Sequence, residues 1–257
     1  LFELLRVGHP YISDDVLDGT PEDEEAALAG KFDYVTEENS TNMLPEDIVL
    51  TDKLKELFRR CFVDGKKNRL ARPSAIEFEY ALLEASNKVI KCPSCGAWHY
   101  PRKTGRVYDG CPWCDAVSKP KARLNFYDVL SEGDYKKGNQ VGEKPKLVNS
   151  YVLRDGKNQI KSLYVLRYDD PGKEKRCAEN YMTVAKNAEG YWAFNEFSKS
   201  GIEVFHYRTG TYEKVGDKRP IKLENGDSIF FNFNTVIEVS GKKYSFVRMA
   251  RFMEETP

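Results

Sequence analysis

The chain has 257 residues, room for one large domain or two to three small ones, and its 40 Lys+Arg balance 40 Asp+Glu. A formal charge of zero argues against a generally basic nucleic-acid binder, although a local patch can sit inside a neutral sum. Hydrophobic residues at 40%, with 15 Tyr, 14 Phe and 3 Trp, exclude a disordered chain, and no apolar run approaches the roughly 18 residues of a membrane span.

Charge and composition are unevenly spread. Residues 1–60 hold 15 acidic and 6 basic side chains, whereas residues 61–257 hold 25 acidic and 34 basic. The first 90 residues are rich in Leu, Glu and Ala, the C-terminal half in Tyr, Phe, Val and Lys, and four of the six cysteines lie between. This predicts a multidomain α+β chain: a helical part over 1–90, a cysteine module over 91–120 and an all-β part over 121–257, with no internal repeat. The first residues lack the basic start and cleavage site of a signal peptide, so a cytoplasmic location is expected.

In chain order, Pro21 to Leu28 reads as a short acidic helix, with Pro21 in the first turn and acids at the positive helix end. Leu50 to Val63 reads as an amphipathic helix with Leu54, Leu57, Phe58, Cys61 and Phe62 on one side, Thr51 as N-cap and Asp64-Gly65 as its end. Ser74 to Val89 reads as a third, opened by a capping box of Ser74 and Glu77. Its apolar side is expected to be Ile76, Tyr80, Leu83 and Leu82.

Leu1-Phe2-Glu3-Leu4-Leu5, Gly8-His9-Pro10-Tyr11, Leu57-Phe58-Arg59-Arg60-Cys61-Phe62 and Arg69-Leu70-Ala71-Arg72-Pro73-Ser74-Ala75 follow one another in an order that resembles the end of a Ser/Thr protein kinase C-lobe. The resemblance implies that Arg72 is the buried arginine that pairs with the glutamate of the kinase Ala-Pro-Glu motif. The chain has no Gly-rich phosphate loop, strand lysine motif, His-Arg-Asp, Asp-Phe-Gly or Ala-Pro-Glu. Phosphoryl transfer needs those metal- and phosphate-holding groups, so the resemblance implies a non-catalytic C-terminal part of a longer kinase.

Cys92-Pro93-Ser94-Cys95 and Cys111-Pro112-Trp113-Cys114 are two C-x2-C knuckles with 15 residues between them. Each tight turn puts two sulfurs on one side, and two such turns supply the four thiolates of a tetrahedral zinc site. Two disulfides or redox-active pairs are the alternatives; the regular spacing favours zinc. Four thiolates close the coordination shell, so this zinc is structural, and short ribbon strands are expected around Trp98-His99-Tyr100 and Arg106-Val107-Tyr108. His99 is then read as a solvent-facing strand residue, and Cys61 and Cys177 as buried thiols. Lys91, Arg102, Lys103, Arg106, Lys119, Lys121 and Arg123, interleaved with aromatics, leave a nucleic-acid-binding zinc ribbon as the alternative function.

From Lys121 onward short alternating segments predict strands at Leu124–Val129, Val148–Leu153, Ser162–Arg167, Tyr181–Ala185, Tyr191–Phe194, Glu203–Tyr207, Ile229–Phe233, Thr235–Val239 and Tyr244–Met249. Asp155-Gly156, Pro171-Gly172, Asn225-Gly226 and Ser240-Gly241 mark turns between them, and the whole reads as a β-sandwich. Phe205, Tyr207 and Tyr212 are assigned to its core.

Leu223-Glu224-Asn225-Gly226-Asp227-Ser228-Ile229 resembles the L-x-x-G-D-x-I ending of forkhead-associated (FHA) domains, eleven-stranded sandwiches that bind phosphothreonine. Ser198-Lys199-Ser200-Gly201 and Lys175-Arg176-Cys177-Ala178 resemble their phosphopeptide loops, and Arg154 stands in for the phosphate-binding arginine. The resemblance thus implies contacts from Arg154, Lys175, Arg176, Ser198 and Ser200. Glu174 stands where a hydroxyl donor is expected and repels a phosphate, which favours unmodified protein surfaces as ligands. Taken together the three parts resemble bacterial kinases of tellurite-resistance-linked phosphorylation systems. The partners implied are a phosphatase or a von Willebrand-type domain protein, with no membrane contact.

Overall fold

A computed structural model describes residues 1–104, 107–130, 146–165, 179–195, 201–216, 219–239 and 242–255. It is mixed α and β, largely β, and forms two compact units, Leu1–Ser118 and Lys119–Pro257. Packing thus draws one boundary where composition suggests two: helices and cysteine knuckles share the first unit, and Tyr100 packs on the helical core.

In the first unit α1 (Phe2–Arg6), α2 (Asp14–Leu17), α3 (Pro21–Leu28) and α4 (Glu46–Val49) are short. The α3 helix has the bounds expected, closed by a reciprocal capping box between Thr20 and Asp23. Helix α5 (Asp52–Arg59) does not end at Asp64-Gly65; it runs on through a π-helical turn (Arg60–Asp64) into α6 (Gly65–Lys67). Gly65 is buried and helical, at φ −71°, so it acts as a close-approach residue and not as a stop. A 3-10 turn (Arg69–Ala71) leads to α7 (Ala75–Ser86), whose Ser74–Glu77 capping box forms as expected.

The core of this unit is an aromatic cluster. Phe2 meets Tyr34, Phe58 and Phe62 edge-on, with centroids 5.7, 5.2 and 5.5 Å away. Leu54, Leu57 and Phe58 are buried as the α5 periodicity requires, while Cys61 is only half-buried. On α7 the buried face is Tyr80, Ala81 and Ala85, with Phe78 and Leu82 packed on the core; Ile76 points outward. Small alanines on that face let α7 sit close to α5, which a hydrophobicity pattern alone undervalues.

The described residues of this unit also form four two-residue strands: β1 (Ile90–Lys91) with β2 (Trp98–His99), and β3 (Lys103–Thr104) with β4 (Val107–Tyr108).

The second unit has β5 (Ala122–Leu130), β6 (Lys146–Leu153), β7 (Lys157–Lys161), β8 (Asn180–Asn187) and β9 (Gly190–Phe194). It continues with β10 (Ile202–His206), β11 (Thr211–Val215), β12 (Ile221–Leu223), β13 (Ser228–Val239) and β14 (Lys242–Glu254). Two antiparallel sheets result, ordered β11-β10-β13-β14-β5-β6 and β12-β9-β8-β7. Their inner faces meet through Tyr181–Phe231 and Tyr191–Phe252 ring contacts at 5.7 and 5.2 Å. Buried Arg248 braces the sheet, donating to Asp128 Oδ1 at 2.6 Å and to the Tyr164 carbonyl at 2.8 Å.

Three expectations change here. Ser162–Tyr164 is a 3-10 turn, not a strand, closed by Val165 N–H donating to the Ser162 carbonyl at 2.9 Å, and residues 166 and 167 of the expected segment lie outside the described residues. The two segments expected at 229–239 are one strand with an irregular register between Phe231 and Asn234. Tyr207 and Tyr212 are 71% and 61% exposed rather than core, since Tyr207 lies in the β10–β11 turn and Tyr212 on the edge strand β11. Among the described residues no helix is long and apolar enough to cross a membrane.

Candidate metal centre

The Cys-Pro-x-Cys runs build two equivalent turns at an offset of 19 residues. In the first, Cys92 N–H donates to Ala97 O at 2.8 Å and Gly96 N–H to Cys92 O at 3.0 Å. In the second, Cys111 N–H donates to Ala116 O and Asp115 N–H to Cys111 O, both at 2.8 Å. Gly96 and Asp115 occupy the same left-handed position, at φ 76° and 57°. The Lys91–Trp98 pairing recurs as the Gly110–Val117 bridge. Gly110 is obligatory there, because a Cβ would lie 2.5 Å from the Asp115 carbonyl oxygen. The local repeat Cys-Pro-x-Cys-x-Ala is visible in the sequence once the runs are aligned; a search for long repeats misses it.

The two turns face each other and bring Cys92, Cys95, Cys111 and Cys114 together, with all four sulfurs within 4.8 Å of one another. Cys92 Sγ lies 3.7 Å from Cys114 Sγ, and Cys95 Sγ lies 3.7 Å from Cys111 Sγ. Zinc–sulfur bonds of about 2.3 Å place the corners of a tetrahedral site about 3.8 Å apart, so the spacing suits a metal such as zinc. All four are free thiols, Cys92 and Cys111 buried and Cys95 and Cys114 exposed.

Their protonation fits a cation site. The Cys95 backbone N–H outweighs desolvation and, with Ser94 N–H and the neighbouring thiols, draws the Cys92 thiol down to about 6. At Cys95 the Ala97 N–H favours the thiolate, but burial and the other three sulfurs push the thiol up to about 12. One thiol ionises near neutrality and its neighbour resists; a bound cation relieves that repulsion and releases protons.

His99 is buried, at 3% exposure, and not solvent-facing: Trp98 takes the outer side of the two-residue strand β2, which turns His99 inward. His99 Nδ1 lies 3.1 Å from Tyr100 O, and Nε2 has no partner among the described residues. It is outside the four-sulfur group.

The other expected site residues are not brought to this centre. Arg72 is exposed, not buried, and its Nε donates to the Gly65 carbonyl at 3.0 Å. Arg154 is exposed at the β6–β7 turn, which buried Asn158 ties by accepting from Arg154 N–H and donating to Arg154 O, both at 2.8 Å. Glu174, Lys175, Arg176, Cys177, Ser198 and Ser200 lie outside the described residues.

The motif around Gly226-Asp227 forms the corner between the two sheets. Gly226 takes φ 94°, and Asp227, 1% exposed, accepts from Glu224 N–H at 2.8 Å and Tyr207 N–H at 3.2 Å. His206 Nδ1 lies 2.8 Å from the same carboxylate, a partner 21 residues away that no local pattern announces. No family model, curated protein or solved structure matches this chain.

Proposed function

We propose that this chain is a non-catalytic regulatory and protein-docking region of a bacterial Ser/Thr protein kinase, with a structural zinc ribbon and an FHA-like sandwich. The carrying observation is the four-sulfur cluster on two equivalent knuckles, a closed donor set that leaves no position for substrate or water. The residues of this chain suited to holding zinc are Cys92, Cys95, Cys111 and Cys114.

The kinase reading is supported by the sequence order of the motifs and by helices at the expected places, with Tyr11 of Gly8-His9-Pro10-Tyr11 donating to Phe62 O at 3.1 Å. The FHA-like reading is supported by two facing antiparallel sheets and by the Leu223–Ile229 corner between them. By the resemblance, the ligands are unmodified protein surfaces, with a phosphatase or von Willebrand-type domain protein as partner in the cytoplasm.

Elemental analysis of the purified chain should find one zinc per chain, and the chain alone should not autophosphorylate with ATP and magnesium. Absence of zinc, or activity in material free of host kinases, overturns the reading. Phosphate-dependent binding of a phosphothreonine peptide library, lost in Arg176→Ala, would show a live phosphopeptide site instead. A second reading, nucleic-acid contact by the ribbon, is favoured by the exposure of Trp98 (53%) and Trp113 (47%). It requires steeply salt-dependent binding to a single-stranded oligonucleotide that fails when both are changed to Ala.

A further inference from the structure

We propose that the basic turn 66–72 and the acidic α2–α3 surface are complementary docking faces through which two copies of this chain associate. Lys66, Lys67, Arg69 and Arg72 fall within seven residues, are all exposed, and have no ion-pair partner among the described residues. Lys66 Nζ is held by the Phe32 carbonyl at 2.6 Å and lies 5.3 Å from the Tyr11 ring centre. The Arg72 stem lies against Gly65, where a Cβ would be 2.3 Å from its Cγ, and its Nε is fixed by Gly65 O. Leu70, at the tip, is 85% exposed.

The turn is well tied. Asn68 Oδ1 accepts from Leu70 N–H at 3.0 Å, Asn68 N–H donates to Asp64 O at 2.9 Å and Ala71 N–H to Asn68 O at 2.9 Å. A fixed turn that presents a leucine among uncompensated cations is pre-organised for an acidic, partly apolar surface.

The same chain carries such a surface. Asp15, Asp18, Glu22, Glu24 and Glu25 are exposed and have no ion-pair partner among the described residues. Leu17 and Leu28, 55% and 58% exposed, lie among them, and Leu28 follows Glu24 by four residues and so shares its helix face. Elsewhere in the unit opposite charges are paired internally, as in Arg6–Glu46, Arg60–Glu77 and Lys88–Glu84. A second copy supplies both the missing sign and leucines to meet Leu70. In a twofold pair the basic turn of each copy meets the acidic face of the other, so the contact is made twice. Exposed pairs are individually weak and screened beyond a Debye length of about 8 Å at physiological salt, so the association is weak and salt-sensitive.

The test is sedimentation velocity of the whole 257-residue chain at low and high salt, with Lys67→Glu/Arg69→Glu as one variant and Asp18→Lys/Glu25→Lys as the other. Wild type should dimerise at low salt and dissociate at high salt, each variant alone should stay monomeric, and their equimolar mixture should regain the dimer. Leu70→Ser should weaken the dimer severalfold with an unchanged circular dichroism spectrum. A wild type that is monomeric at low salt, self-association indifferent to either reversal, or a mixture of two folded variants that stays monomeric overturns the proposal.

Discussion

The two units bury their cores by different means. The first, over residues 1–118, buries 14 apolar side chains among its described residues, of which three are alanines and two are the knuckle cysteines Cys92 and Cys111. The second buries at least 25, most of them on the facing sides of two sheets. Helices as short as those of the first unit are marginal by themselves, the longest being the 12 residues of α7. A thin core of this kind needs a staple, and the four sulfurs are placed to provide one. The second unit needs none, because strands paired across a filled interior support one another.

Removing the staple should produce the largest difference between the units. Structural zinc contributes about 10–16 kcal/mol of apparent binding energy in finger peptides, comparable with or above the roughly 5–15 kcal/mol stability of a whole domain. Chelation, or Cys111→Ser, should release the metal and abolish slow hydrogen exchange in helices α1 to α7 while strands β5 to β14 stay protected. Equal loss in both units would break the comparison.

The converse experiment attacks the sandwich. Phe231→Ala removes a fully buried ring that Tyr181 and Phe126 pack against, and should cost about 3–5 kcal/mol with metal content unchanged. Asp227→Ala leaves Glu224 N–H, Tyr207 N–H and His206 without their acceptor and should cost about 3 kcal/mol. Urea titration followed by signals from the second unit measures both.

Ser74→Ala, which deletes half of the α7 capping box, should cost about 1 kcal/mol and be felt in the first unit only. The smallest effect concerns acid. Thr41 N–H and Oγ hold the Asp14 carboxyl below the usual aspartate range, and the Thr20 N–H and Oγ do the same for Asp23. Depressed folded values contribute stability above the unfolded value of about 3.9 that is lost as pH falls through the lower folded one. Carbon-detected NMR titration should find both carboxyls below that value, and Asp14→Asn with Asp23→Asn should flatten the acid limb of the first unit's stability. Ordinary titration of both carboxyls would refute this.

Legibility differs along the chain for physical reasons. The Thr51 cap and the Ser74 capping box are local, spanning three residues, and both form where the sequence indicates, whereas the Thr20–Asp23 box is supplied by the structure. Strands β5, β6, β8, β9 and β10 coincide with expected segments, whereas β7, β11 and β12 fall outside them. On β11 four of five residues are exposed, so an edge strand carries no apolar alternation to detect. Asp64-Gly65 reads as a helix end in the sequence, yet the helix runs on through it, because the missing side chain of Gly65 serves contact with Arg72.

By itself, then, the sequence determined which four cysteines come together and the helix caps at Thr51 and Ser74, because thiol chemistry and backbone capping act over a few residues. Only the tertiary structure decided what faces what. Arg248 finds Asp128 across 120 residues, His206 finds Asp227 across 21, and His99 turns inward while Arg72 turns out. Such partners are chosen by the packing of whole sheets and helices, and burial depends on neighbours that are distant along the chain.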